Sequence, residues 1–216
     1  MALVLSSLPV LLWAALVTLA LAVGSMIIGL VIGVFTALAR ISKNRVLQKT
    51  AAFYISVIRG TPLLVQIYVV YYGLPQVGIA LDPVTSGIIA LSLNVGAYLS
   101  ESFRAAIQSV DKGQMEAAAS LGMTYGQAMR RIIIPQSIRT AIPTIGNTYI
   151  GLLKDTSLVS VITVTELLQM TSLLIAKTFE PLTLYLTAGA IYWALSALFT
   201  ALQARVEVRV ARHVRQ

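Results

Sequence analysis

Leu19-Ala20-Leu21-Ala22-Val23-Gly24-Ser25-Met26-Ile27-Ile28-Gly29-Leu30-Val31-Ile32-Gly33-Val34 is the middle of the run that decides the fold. From Met1 to Ala39 there is no charged side chain at all. About 20 apolar residues suffice for a helix to cross a bilayer, and this run exceeds that. A cleaved signal peptide needs a basic leading segment and a shorter apolar core. Met1-Ala2-Leu3-Val4-Leu5 has no Lys or Arg, so the run reads as a retained first span. The composition of the rest agrees. Of 216 residues, 57% are hydrophobic and 11% charged, against about 25% charged in a soluble domain. Mean hydropathy is +0.84. The expectation is an all-α membrane protein with a single transmembrane domain over 1–216.

Five segments read as spans: Pro9 to Ala39, Thr50 to Tyr72, Val84 to Val110, Gln136 to Leu153 and Leu182 to Ala204. Pro9 suits a first helical turn. Charge then orients them. Arg40, Lys43, Arg45 and Lys49 lie between spans one and two, and Lys112, Arg130 and Arg131 between spans three and four. Arg205, Arg209, Arg212 and Arg215 follow span five, whereas residues 73–83 and 154–181 offer only Lys154 and Lys177. Basic loops stay cytoplasmic, so the N-terminus faces out and the C-terminus in. The net charge of +8 is thereby a topology signal and gives no reason to invoke nucleic acid. The basic tail is also suited to anionic lipid of the bilayer.

Charges at membrane depth are costly and usually mark a pathway or a pair. Arg59 stands ten residues beyond Lys49, about 15 Å in at 1.5 Å per residue, and Glu101 about 14 Å before Val110. Their equal depth and opposite sign allow two readings. Either they face a cavity and meet a substrate's charged groups, or they pair with each other and hold two helices in register. Arg104, one turn from Glu101, competes for the same carboxylate. Asp155 is either the N-cap of a following helix or an acid at a cavity mouth. Asn94 shares a face with Glu101 and either bridges helices or lines the same cavity. The candidate substrate-binding residues are therefore Glu101, Asp155, Arg59 and Asn94. Gly60-Thr61-Pro62 breaks span two, as a gate, a site or a simple kink. Gly24, Gly29 and Gly33 have the spacing of a close helix contact. Residues 156–181, interrupted by Glu166, Gln169, Lys177 and Glu180, read as short helices on the outer face.

The loop between spans three and four is the most specific stretch. Asp111 with Gln114, and Thr124 with Gln127, are spaced as capping boxes, and Gly122 is placed to end the first helix. The pattern Glu116-Ala117-Ala118, then Gly122, then Ile132 and Ile134-Pro135 resembles the EAA loop of ABC importer permeases. It departs from that signature only in Ile134, where the family usually has Leu. The resemblance implies that Glu116, Ala117, Ala118, Gly122, Ile132 and Pro135, within a loop of about 111–135, form the coupling helix that meets a cytoplasmic ATPase. The chain has no G-x-x-x-x-G-K-[ST] loop of its own.

Arg59-Gly60-Thr61-Pro62-Leu63-Leu64-Val65-Gln66, Tyr71-Tyr72-Gly73-Leu74-Pro75-Gln76, Ala97 through Arg104 and Lys154-Asp155-Thr156-Ser157-Leu158 resemble the polar amino-acid branch of these permeases. Leu81-Asp82-Pro83, Leu91-Ser92-Leu93-Asn94, Asp111 through Gln114 and Ile191-Tyr192-Trp193 are similar to L-cystine permeases, although arginine, glutamine and histidine permeases share most of these residues. The resemblance implies a multi-pass protein of the bacterial inner membrane that moves a polar amino acid from periplasm to cytoplasm. Its implied partners are an ATP-binding subunit dimer, a second permease chain (identical or paralogous) and a periplasmic solute-binding protein. ATP and Mg would sit on the ATPase, with no cofactor or metal on this chain. An intramembrane enzyme is disfavoured: there is no cysteine, and the one histidine, His213, lies in the basic tail. A stand-alone channel or secondary transporter is the remaining alternative, without the internal repeat such transporters often carry.

Overall fold

The computed structural model describes residues 2–212, so the expectations about His213 and Arg215 fall outside the described residues. It contains α1 (Ala2–Ile41), α2 (Arg45–Gly60), α3 (Leu63–Tyr68), α4 (Pro83–Gln108), α5 (Lys112–Ser120), α6 (Tyr125–Ala128), α7 (Ile134–Asp155), α8 (Leu167–Thr178) and α9 (Pro181–Arg212). Helices α1, α4 and α9 are each long and apolar enough to cross a membrane, and two bent helix pairs bring the possible spans to five. Helices α1 and α9 run past the expected bounds, whereas α4 starts one residue early and stops at Gln108, short of Val110. Helix α1 begins well before Pro9, which lies inside it. A proline costs a helix one amide bond, and a long apolar helix tolerates that loss.

Span two differs most from a simple span. Helix α2 starts at the cap Asn44, whose side chain accepts from Val46 N at 2.9 Å. It stops at Gly60, and the chain resumes as α3, bent by 107° from α2. Pro62 fixes both events, since it has no amide to continue α2 and holds its neighbour in extended backbone. Helix α3 runs on through a wide turn at Val69–Gly73 and a tight one at Leu74–Val77. Asp82 then caps α4, accepting from Thr85 N at 3.0 Å. The hydrogen bonds from Thr85 hold the Asp82 carboxyl below the usual carboxylate range.

The bundle is built around α4, packed by α1, α2, α3 and α7. Helices α1 and α4 approach closely at Gly29, Gly33 and Gly96. A Cβ on Gly29 would overlap the Val95 side chain, and one on Gly96 would stand 2.8 Å from Ile32 Cγ2. Gly24 has the spacing of the contact but is not part of it, with open space beside it. Gly96, on the facing helix, supplies the reciprocal half. Leu21, Ile67, Leu91, Leu99, Leu152 and Ile162 form the core beneath this crossing. A smaller cluster of Leu11, Ala15, Leu167 and Ala188 joins α1, α8 and α9. Trp13, Phe35 and Trp193 are exposed, as suits lipid-facing positions on α1 and α9.

Candidate functional site

Two features carry chemistry: a polar cavity at the α2–α3 break, and the α5–α6 loop. The cavity, about 360 Å³, lies between the break, α4 and the end of α7. Thr61, Pro62, Asn94, Tyr98, Thr148 and Asp155 are in its wall. A larger cleft of about 490 Å³ between α1, α7 and α9 is almost wholly apolar. A zwitterion would find too few partners there to replace its water, so the smaller cavity is the better candidate.

The break is held open by a side chain that span counting does not single out. In an unbroken helix the Ile58 carbonyl would accept from residue 62, but Pro62 has no N–H. Gln66 Nε2 donates to Ile58 O instead, at 2.7 Å, and lies 3.0 Å from Thr61 Oγ1. Thr61 Oγ1 in turn donates to Val57 O at 2.8 Å. Asn94 Nδ2 then donates to Gln66 Oε1 at 3.0 Å, which ties the break to α4. Asn94 thus bridges helices and lines the cavity at once, so its two readings coexist. The signal for Gln66 was present in the sequence, as an amide donor one turn after a proline on the same face.

Asp155 is the last residue of α7, where the helix dipole disfavours an acid. It caps nothing: the turn that follows, Thr156–Ile162, has no side-chain cap bond from it. The N-cap alternative is therefore not what the fold uses. The carboxylate belongs to the cavity wall instead. Arg59 sits at the end of α2 with its guanidinium carbon 5.1 Å from the centroid of the Tyr98 ring, a cation–π contact. Since Tyr98 lines the cavity, Arg59 stands at its edge.

Glu101 is one turn further along α4 and is not among the cavity-lining residues. Arg104 Nη2 meets its carboxylate at 2.6 Å, and Arg40 Nε lies 3.6 Å away. The suggested Arg59–Glu101 pair is absent among the described residues. Arg104 wins because it is on the same helix and one turn away, while the bend at Gly60 carries Arg59 toward Tyr98. Arg40, a loop charge by sequence, stands at the end of α1. It is the residue that links Glu101 to a second helix.

The α5–α6 loop forms much as its capping residues dictate. Thr124 and Gln127 make the full reciprocal box, with Thr124 N donating to Gln127 Oε1 at 2.9 Å. The first box does not form, since Asp111 caps the second helical amide and not that of Gln114. Asp111 accepts from Gly113 N at 2.6 Å, but Gln114 turns away to accept from Gln136 at 3.5 Å. Gly122 ends α5 with φ of 74°, and Met123 N reaches back to Ala118 O at 3.0 Å. Ala118 is buried, while Glu116, Ala117 and Leu121 are exposed. Ile132 lies in a wide turn, Met129–Ile133, that leads into α7, where Pro135 sits in the first turn. The exposed side of α5 is thus nearly smooth and carries one acid.

Long apolar helices, a broken helix pair beside a polar cavity and a capped loop helix together describe a multi-pass membrane protein. Residues 29–212 match the family of the binding-protein-dependent transport system inner membrane component, and the chain belongs to it. The L-cystine transport system permease protein TcyB of Bacillus subtilis (strain 168) is 45% identical over 91% of this chain and 85% of its own length. The arginine transport system permease protein ArtQ of the same organism is 41% identical, over 88% of each chain. A crystal structure of an amino acid ABC transporter with histidines superposes with a TM-score of 0.91. It has 40% identity, over 95% of this chain and 96% of that one. The chain is an amino-acid ABC importer permease of the inner membrane.

Proposed function

We propose that this chain forms the membrane-spanning half of an importer for a polar L-amino acid, with L-cystine the best-fitting substrate. The observation that carries the site is Asp155, a carboxylate in a polar cavity wall with no cap to make. The substrate's ammonium group would approach Asp155, and its carboxylate would approach Arg59 over Tyr98. Asn94 and the hydroxyls of Thr61 and Thr148 fix its orientation. Glu101, doubly held by arginines, supports the wall beneath Tyr98 and does not meet ligand.

The N-terminus faces the periplasm, as the distribution of Lys and Arg requires. The α5–α6 loop then faces the cytoplasm, where Glu116, Ala117, Ala118 and Gly122 meet an ATP-binding subunit dimer. Ile132 and Pro135 pass its motion into α7, which ends at Asp155. ATP and Mg stay on that partner. A second permease chain and a periplasmic solute-binding protein complete the assembly, and this chain carries no cofactor and forms one domain over 1–216. Cystine rests on the likeness to TcyB and on the shared stretches named above; an arginine permease is nearly as similar.

The test is uptake by proteoliposomes holding the complete complex, with cystine, arginine, glutamine and histidine competing. ATP-dependent cystine uptake that the others fail to inhibit is the expected result. Uptake inhibited best by arginine or glutamine would move the substrate and keep the importer. No uptake of any of them would remove the substrate class.

A further inference from the structure

Helix α7 carries Gly146 and Gly151, and the packing of the chain accounts for only the first. A Cβ on Gly146 would overlap the Gln203 side chain of α9, so that glycine lets the two helices meet. A Cβ on Gly151 would meet nothing within 4 Å. Backbone conformation does not ask for glycine there either, since among the described residues the glycines with positive φ are Gly78 and Gly122. A glycine inside a helix is less stable than an alanine. Gly151 therefore weakens α7 without improving its packing.

The space beside Gly151 is the polar cavity, and Gly151 is the one glycine among the residues that line it. Gly24, Gly60, Gly126 and Gly189 also have open space beside them, but none of these is in the cavity wall. Thr148 and Asp155 belong to the same wall. They stand two turns apart on one face of α7, about 10 Å along its axis, with Gly151 between them. The wall is thus a hydroxyl, a gap and a carboxylate in line.

A ligand that reaches from one end of this line to the other must cross the gap. Serine holds its polar groups close together and has no need of it. Cystine has two α-carbons about 5.5–6 Å apart, each bearing an ammonium and a carboxylate, with a bulky disulfide between them. With one ammonium at Asp155, its sulfur atoms pass over Gly151 and its second half reaches toward Thr148.

We propose that Gly151 is a specificity-determining residue. Its missing side chain leaves room for the middle of a long amino acid that is polar at both ends, and α7 is less stable for it. This deepens the importer reading above and rests on it.

The test is equilibrium binding to the purified permease–ATPase complex without solute-binding protein, with labelled cystine and labelled serine as probes. Wild type should bind cystine more tightly than serine. Gly151→Leu should weaken cystine binding by about tenfold or more, the scale on which a filled pocket discriminates single methylenes, and serine binding by less than about threefold. Gly151→Ala should fall between wild type and Gly151→Leu for cystine. It should also melt at or above the wild-type temperature, because alanine is the better helix former. Cystine uptake by the complete complex should decline in the same order. Wild-type cystine binding by Gly151→Leu would overturn the proposal, as would an equal loss of both probes, the mark of a plug and not of a size filter. Poor assembly or a lower melting temperature in Gly151→Ala would overturn it too, because the gap would then be filled by the second permease chain. A wild-type complex that neither binds nor transports any polar amino acid would instead overturn the importer reading, before any substitution is made.

Discussion

Asp155 and Glu101 are both acids on membrane-spanning helices, and the structure treats them in opposite ways. Glu101 is held by two guanidinium groups, at 2.6 and 3.6 Å. Asp155 has a neighbouring Lys154 but makes no ion pair among the described residues, and it opens on a polar cavity. Depth in the bilayer identifies Glu101 as a candidate, because a charge there must be compensated somehow, and a place at the outer end of span four identifies Asp155. Depth alone does not say by what. A carboxylate satisfied by its own protein has little left to offer a ligand, and one left without a partner beside a cavity is ready for a cation. The surplus around Glu101 is positive, which suits a structural tie between α1 and α4 and not an ammonium site.

The sharpest way to break this comparison is to neutralise each acid in turn. Asp155→Asn should cut ATP-dependent uptake by tenfold or more in proteoliposomes. A charge-assisted hydrogen bond to substrate is worth about 1.5–3 kcal/mol. The complex should assemble and melt as wild type does, since nothing in the protein leans on that carboxylate. Unchanged uptake would take Asp155 out of the pathway. Glu101→Ala should do the reverse, leaving Arg40 and Arg104 facing each other. A loss of about 1–2 kcal/mol is expected from the removed hydrogen bonds to a partly buried charge, read as a lower melting temperature in detergent. Uptake per assembled complex should hold within a few-fold. A stable Glu101→Ala protein that has lost transport would reverse the two roles.

The fold was legible because each long helix has its own signal, an apolar run with a proline, glycine or capping residue at its ends. The α5–α6 loop was legible for the same reason, as its geometry is local: Thr124 and Gln127 are three residues apart and find each other without help. What sequence left unresolved was pairing across helices. Arg59 and Glu101 matched in depth and sign, but depth is one coordinate of three, and the 107° bend after Gly60 altered the other two. Arg40 closes an apolar run and so looks like a loop charge. By sequence Glu166 looks like a break in an outer segment, because its partners Thr18 and Tyr192 are 148 and 26 residues away. For Asp155 the choice between cap and cavity depends on whether the next turn offers it an amide.

The break at Gly60-Thr61-Pro62 separates the two acids' surroundings, and Gln66 decides whether it stays a defined bend. Without its amide, Ile58 O loses the donor that replaces the missing Pro62 N–H, and Asn94 loses its partner on the far wall. Gln66→Leu keeps the volume and removes both bonds. The cost should be about 0.5–1.5 kcal/mol in stability, smaller than for Glu101→Ala, because the groups left bare face a polar cavity that admits water. The effect on transport should be graded: a raised half-saturating substrate concentration, with the maximal rate less affected, since Asn94 and Thr61 lose orientation while Asp155 keeps its place. Gln66→Glu retains an acceptor for Asn94 but offers Ile58 O no donor. It should therefore resemble Gln66→Leu in stability and wild type in the position of Asn94. If both variants transport and melt like wild type, the bend is fixed by Pro62 alone, and the cavity wall is less dependent on that network than its hydrogen bonds imply.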